Sequence, residues 1–278
     1  INLKNLAMNE KEILKNINKK TRAVFLTHAQ GFNGLSNNLL SKLKQKKIYL
    51  IEDVCESHGA SFKNKKLGSF GYISNFSFYY AHHMSTIEGG MICTNNKLVY
   101  EKARMLRSHG LVREIDDLAL KKSYFKKHKD LNPQFIFALP GLNVRNNELG
   151  AILGINQLNR LDKNIKKRNQ NHIYFLNKIN KSKFYTDFDL SGSSNYAFNL
   201  IMKEKNIEFA NKLMKNLTKN EIEFRRGSVG GGNQLRQPYL KEFLKKNELQ
   251  KYPITEHVHF FGFYLGNYPD LSKKNIDF

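Results

Sequence analysis

Two adjacent histidines, His82 and His83, sit in a polar turn between two apolar runs. The first run, Phe76-Ser-Phe-Tyr-Tyr80, alternates aromatics with smaller residues and predicts a half-buried strand. The second, Met91-Ile-Cys-Thr94, predicts another strand. It is entered through Glu88-Gly89-Gly90, where paired glycines permit backbone angles and close approaches that a Cβ forbids. Imidazoles on a loop between buried strands are placed for proton transfer, because their unperturbed pKa of about 6.5 lies near neutrality. A second group stands upstream in Glu52-Asp53-Val-Cys-Glu56-Ser-His-Gly59, directly after the apolar run Ile48-Tyr-Leu-Ile51. Ligands of open α/β sheets gather at the carboxyl ends of strands, so Asp53 is placed to meet one. An aspartate there also suits a helix N-cap, and Glu56 suits a first-turn acid favoured by the helix dipole.

The elements that must position these residues follow in order. Asn5 to Asn18 reads as a helix, Ala23 to Thr27 as a buried strand, Leu35 to Lys46 as an amphipathic helix with a basic end, and Ile48 to Ile51 as a two-sided strand. Strand, helix, strand in this order predicts a parallel α/β sheet. A small hairpin around Lys63 to Lys66 leads to the strand at Phe76. Asn96 to Arg107 reads as a surface helix with Leu98, Ala103 and Leu106 inward, and Glu114 to Leu131 as a polar, basic, mobile excursion. Leu149, Ile152, Leu153, Leu158, Leu161 and Ile165 recur at helical spacing and predict core packing. From Lys166 onward, strands over Phe184 to Leu200 and Ile222 to Arg226 suggest a smaller C-terminal α/β domain. The expected division is 1–165 and 166–278. Gly227 to Gly232 lacks the Gly-Lys-Ser/Thr of a phosphate loop. His257 and His259 alternate as on a strand and read as a structural pair; no metal site is expected.

A chain of 278 residues is long enough for one large or two ordinary domains. The net charge of +22 would suit nucleic acid or an acidic membrane surface. The lysines, however, are scattered in pairs along helices, with no basic stripe interleaved with exposed aromatics. They read as solvated faces that would still attract a polyanionic substrate, and no nucleic-acid partner is expected. No run of about 18 apolar residues and no signal-peptide pattern occurs, so a cytoplasmic protein without a membrane partner is expected. Cys55 and Cys93 are the only cysteines and predict neither a disulfide framework nor a cysteine metal cluster.

The stretch from Phe76 to Gly90 resembles the DegT/DnrJ/EryC1/StrS family of pyridoxal-phosphate sugar aminotransferases and dehydratases. There, a Phe-Ser-Phe-Tyr strand leads to a Schiff-base lysine and then Gly-Glu-Gly-Gly. Counted from either end, the lysine position falls on His82, and the histidine pair resembles the family's sugar 3-dehydratase branch. Arg107-Ser-His109-Gly110 and Leu139-Pro-Gly-Leu-Asn143-Val-Arg145 extend the likeness. The resemblance implies an α/β fold of the PLP-dependent transferase type I, aspartate aminotransferase-like. Because the chain enters midway through the family's pattern, the fold is expected to lack part of its N-terminal portion.

The resemblance also implies roles. Asp53 would meet the cofactor's pyridine nitrogen, Glu56 its ring and Ser77 its phosphate, and Asn143 would reach the phosphate of the other subunit in a homodimer. Arg145, Arg226 and Asn233 are candidate substrate contacts, and Arg225 and Arg236 stand in the same segments. The cofactor would be pyridoxal 5'-phosphate, working as pyridoxamine 5'-phosphate because histidine cannot form the internal Schiff base. The implied reaction removes the C3 hydroxyl of a nucleotide-linked 4-keto-6-deoxyhexose in deoxysugar and O-antigen synthesis, with L-glutamate as amino donor. His82 would move the proton, with His83 as the alternative one register away. Nothing after Gly110 resembles the four cysteines of the iron–sulfur relatives, so no cluster is expected. A nucleotide-sugar aminotransferase, or an inactive protein of the same fold with a binding role, are the competing readings.

Overall fold

A computed structural model describes residues 1–278, the side chain of Val229 excepted. The first half is built on a four-stranded sheet in the order β1 (Ala23–Thr27), β2 (Tyr49–Asp53), β5 (Ile73–Ser77), β6 (Gly90–Cys93). The first three strands are parallel and β6 is antiparallel to β5. A short hairpin of β3 (Ser61–Phe62) and β4 (Lys65–Lys66) fills the connection from β2 to β5. Alternation along β1 and β2 turns Val24, Leu26 and Leu50 onto a core that includes Leu39 and Leu43 of α2 (Asn37–Gln45) and Ile13 of α1 (Glu10–Asn16). The Ser36 hydroxyl starts α2 by accepting the Leu39 N–H at 3.0 Å, an N-cap that uses an otherwise unpaired donor. The opposite face of the sheet stays open, with Phe25 and Tyr49 about half exposed. Register sets Thr27, Asp53 and Asn75 side by side on that open face.

α3 (Lys97–Leu106) and α4 (Leu118–Lys127) follow, and the 31-residue α5 (Glu148–Lys178) then runs unbroken into the second half. A three-stranded antiparallel sheet in the order β7 (Ala197–Ile201), β9 (Gly262–Gly266), β8 (Phe224–Arg226) lies there. All five residues of β7 are buried, and the core around it takes in Ala210 and Leu213 of α6 (Ile207–Lys219) and Phe261 of α7 (Pro253–Phe261). α8 (Lys273–Asp277) packs back on α5. No helix among the described residues is long and apolar enough to cross a membrane.

Four expectations are corrected. Leu149, Ile152, Leu153 and Leu158 do not join the core: the N-terminal half of α5 exposes them, and only Leu161 of that stripe is buried. In α3, Leu98 and Leu106 also face outward. Glu101 and Met105 are the buried residues, because the Glu101 carboxylate accepts the N–H groups of Asp116 and Asp117, both at 2.9 Å. Part of the polar excursion is the helix α4, capped by Asp117. His257 and His259 lie on α7 rather than on a strand; Pro253, with its φ preset, stands in that helix's first turn.

Candidate active site

Both histidines of the turn after β5 are fixed, in different directions. His82 is half-buried, and its Nδ1 donates to the Ser77 carbonyl at 3.1 Å, which leaves Nε2 as the lone-pair nitrogen. The rings of Tyr79, Tyr196 and His58 meet it edge to face, with centroids 5.7, 5.9 and 6.1 Å away. Burial lowers its pKa. The Ser77 carbonyl and the charges of Asp53 and Glu88 only partly offset this, so the ring is neutral at pH 7. His83 turns inward. It is 6% exposed, and its Nε2 pairs with the Ser194 carbonyl at 3.1 Å. Burial, with the Arg168 guanidinium nearby, holds its pKa well below the ordinary value.

A cavity of about 950 Å³ opens before His82. Tyr80, Arg168, Tyr196, Arg225 and Tyr264 line it with His82; His83 does not. Arg168 is buried against the carbonyls of Tyr196 and Asn267, and burial lowers its pKa to about 10. Arg225 is more open, and the neighbouring Tyr264 favours its charged form.

Asp53 is no helix cap, since the chain after β2 continues as turns. Its Oδ1 accepts the Asn75 side-chain N–H at 3.0 Å and the Cys55 backbone N–H at 3.1 Å, while Oδ2 receives, among the described residues, only the Thr27 hydroxyl at 3.4 Å. One carboxylate oxygen is therefore held and the other is open to a further donor. Glu56 accepts the Gln30 N–H at 3.0 Å, and Gln30 takes a left-handed backbone, φ 55°, to supply it. Burial pushes the Glu56 carboxyl up from 4.5 to about 7, against that hydrogen bond and with the help of the Asp53 charge. Ser77 ends β5, where its hydroxyl accepts the Tyr79 N–H at 3.3 Å and keeps its own proton to donate. Asp53 stands near enough to His82 for its charge to act there.

The other expected residues are not brought together with His82. Asn143 is exposed and bridges to the Ser108 backbone, and Arg145 is exposed and donates to the Ser108 hydroxyl at 2.9 Å. Alternation along β8 separates two neighbours. Arg225 reaches the cavity, whereas Arg226 turns the other way, with its guanidinium 6.0 Å from the Phe260 ring centre. Asn233 is buried, its side chain donating to Glu256 at 2.6 Å and its N–H to His259 at 3.2 Å, and does not line the cavity. Tyr196 and Tyr264 escaped the sequence reading because lone tyrosines near strands carry no signal beyond core packing. Arg225 could have been ranked above Arg226 only if the register of β8 had been known.

The family model for the DegT/DnrJ/EryC1/StrS aminotransferase family matches residues 1–278. A GDP-4-keto-6-deoxy-D-mannose 3-dehydratase of Escherichia coli O55:H7 is 29% identical to the chain, over 100% of it and 71% of that protein. A GDP-perosamine synthase of Escherichia coli O157:H7 is 26% identical, over 97% of this chain and 66% of the other. A crystal structure of a GDP-4-keto-6-deoxymannose-3-dehydratase with a trapped PLP-glutamate geminal diamine superposes with a TM-score of 0.80 at 28% identity, covering 100% and 71% of the two chains.

Proposed function

Because the chain belongs to the DegT/DnrJ/EryC1/StrS aminotransferase family, we propose that it is a nucleotide-sugar 3-dehydratase that removes the C3 hydroxyl of a 4-keto-6-deoxyhexose. Its fold is that of the PLP-dependent aminotransferases, and its cofactor is pyridoxal 5'-phosphate or the pyridoxamine form. The residues fit this group. The open Oδ2 of Asp53 suits a protonated ring nitrogen, the Ser77 hydroxyl a phosphate oxygen, and Glu56, protonated near neutrality, a ring acceptor. When bound, the group supplies an electron sink for the carbon skeleton attached to it.

The observation that carries the reading is the imidazole of His82 at the cavity; the resemblance of the Phe76 to Gly90 stretch would put the family's lysine at this position. The Ser77 carbonyl fixes the proton on Nδ1, so Nε2 can take a proton from the cavity side and return it. Low basicity from burial keeps Nε2 free at neutral pH and makes the protonated ring a ready acid for a departing hydroxyl. Arg225 and the cavity tyrosines are suited to anionic and hydroxyl groups of a nucleotide sugar, so Arg225 replaces Arg226 as the proposed contact. His83 is assigned the support of Ser194 instead of proton transfer.

Glutamate is the proposed amino donor and a homodimer the proposed assembly. Support for the dimer comes from the exposed apolar run of Leu142, Val144, Leu149, Ile152 and Ile155 beside Asn143 and Arg145. Those two residues would then serve the partner's site. The domain division at 165 and 166 is likewise proposed, with α5 as the element shared by both parts.

The test supplies the protein with pyridoxamine 5'-phosphate, glutamate and GDP-4-keto-6-deoxymannose and follows the sugar by mass spectrometry. Loss of oxygen without gain of nitrogen, abolished by His82→Ala, is expected. An aminated sugar would replace this reading by the aminotransferase one.

A further inference from the structure

Among the described residues, Tyr196 is the tyrosine of the cavity wall whose ring meets the imidazole of His82. The two ring centres lie 5.9 Å apart at 66°, and His83 stands 5.8 Å from the same phenol ring. Backbone bonds hold the residue on both sides. Its N–H donates to the Gln30 carbonyl at 3.1 Å, and its carbonyl accepts the Arg168 guanidinium at 3.1 Å. β7 begins at the next residue, and all of that strand is buried. The backbone therefore fixes where the ring stands. Its hydroxyl, in contrast, makes no hydrogen bond among the described residues, whereas Tyr264 across the cavity has the Arg225 guanidinium beside it. Burial first, and the charge of Glu56 second, raise the Tyr196 phenol pKa, so the proton stays on the oxygen throughout the neutral range. A half-buried donor that keeps its proton and has no acceptor in the chain is open to an oxygen of a ligand.

We propose that Tyr196 is a specificity-determining residue: its hydroxyl donates a hydrogen bond to the C3 oxygen of the sugar, beside the cavity-facing nitrogen of His82. The inference rests on the dehydratase reading, in which Nε2 of His82 comes within hydrogen-bond reach of that oxygen. An oxygen so placed borders the phenol packed against the imidazole. Arg225, charged and farther along the wall, suits an anionic part of the substrate; the phenol of Tyr196, neutral, suits a hydroxyl. A wall that donates to a hydroxyl discriminates against a sugar lacking it, because the donor then loses its partner. The same contact gives the reaction a direction of occupancy. The substrate carries the C3 oxygen and the 3-deoxy product does not, so Tyr196 favours the substrate over the product in the cavity.

The experiment titrates GDP-6-deoxymannose and its 3-deoxy counterpart, by calorimetry, into the protein supplied with pyridoxamine 5'-phosphate. Both sugars carry a 4-hydroxyl in place of the ketone, so binding is read without turnover. The parent protein should bind the 3-hydroxy sugar about tenfold more tightly than the 3-deoxy one. Tyr196→Phe keeps the ring beside its two imidazoles and should keep the unfolding midpoint, yet bind the two sugars alike, having weakened only for the 3-hydroxy one. Tyr264→Phe should leave the preference in place. A parent without the preference, a Tyr196→Phe variant that retains it, a Tyr264→Phe variant that also loses it, or a failure of both sugars to bind overturns the proposal. A lowered midpoint in Tyr196→Phe would give the hydroxyl a partner inside the chain and overturn it as well. The two readings fail separately. An aminated sugar in the turnover test, with the binding preference intact, removes the dehydratase assignment and leaves this contact; loss of oxygen without the preference removes this contact alone.

Discussion

The first sheet is served by two sets of histidines that are treated in opposite ways. His28, after β1, is fully buried with both nitrogens used: the Gly34 N–H donates to Nδ1 at 3.1 Å, so Nε2 carries the proton and donates to Glu52 at 3.1 Å. Glu52, equally buried, also accepts the N–H groups of Gly68, Phe70 and Gly71 at 2.9, 2.8 and 2.5 Å. These bonds tie the loop ahead of β5 to β2 and leave no polar atom for a ligand. Around Ser77 the imidazoles of His82 and His83 make one carbonyl bond each, and the second nitrogen of each has no hydrogen-bond partner among the described residues. A saturated histidine builds the scaffold. An unsaturated one, held by ring packing, is available for chemistry.

The sharpest way to break this contrast is to substitute one member of each set. His82→Asn should lower turnover on the order of 10³-fold, about 4 kcal/mol, while the unfolding midpoint barely moves. Paired measurements of kcat and thermal unfolding check it; equal losses in both would erase the distinction. Glu52→Gln should do the reverse, because it strips charge from a carboxylate with four donors and leaves His28 poorly paired. A destabilisation of about 3 kcal/mol in chemical denaturation is expected, with activity lost only in proportion to unfolded protein.

The two carboxylates also give opposite pH signatures. For Glu52, burial opposes the charge, but the hydrogen bonds from His28, Gly68 and Gly71 outweigh it and hold the pKa below 4.5. Its contribution is therefore present above about pH 4.5 and is lost as pH falls through the native value. For Glu56, raised from 4.5 to about 7, the contribution is present below pH 4.5 and is lost as pH rises toward 7. That loss is on the order of 3 kcal/mol. Denaturation of Glu56→Gln should lack this decline between pH 4.5 and 7 while retaining the acid-side decline due to Glu52.

How much of this was legible in the sequence depended on whether the residues answered to local or to distant partners. β1, β2 and the turn at His82 were readable because short apolar runs and paired glycines act locally; each strand was found within a few residues of its place. The preference for His82 over His83 came from the register of the resemblance, whereas the inward turn of His83 was not readable, because its partner is the distant Ser194 carbonyl. The stripe on α5 misled for a related reason. Periodicity reports that a face is apolar but not what covers it, and Leu149, Ile152 and Leu158 lie open on this chain. Glu101 was missed because its acceptors are used by a loop beyond the helix end, at Asp116 and Asp117.

The open stripe supplies the next test of scaffold against site. Ile152→Glu places a charge on a surface that is 64% exposed in one chain, so the fold itself should tolerate it within about 0.5 kcal/mol. If that surface is the dimer contact, self-association should weaken roughly thirtyfold, about 2 kcal/mol, in sedimentation, with activity lost at low protein concentration. Unchanged association would remove the stripe, and with it Asn143 and Arg145, from the proposed shared site.

The smallest effects should separate Arg225 from Arg226, neighbours that differ only in which face of β8 they take. Arg225→Ala removes a guanidinium from the cavity wall beside Tyr264 and should raise KM about tenfold, about 1.4 kcal/mol, with little change in kcat. Arg226→Ala removes only an exposed contact to the Phe260 ring, 6.0 Å away, and should change neither KM nor kcat by more than about twofold. Steady-state kinetics on the pair distinguishes a cavity-facing register from its reverse. A larger effect at Arg226 would mean that β8 presents its other face to the substrate. It would also mean that the donor set of tyrosines and Arg225 before His82 is not the one that binds it.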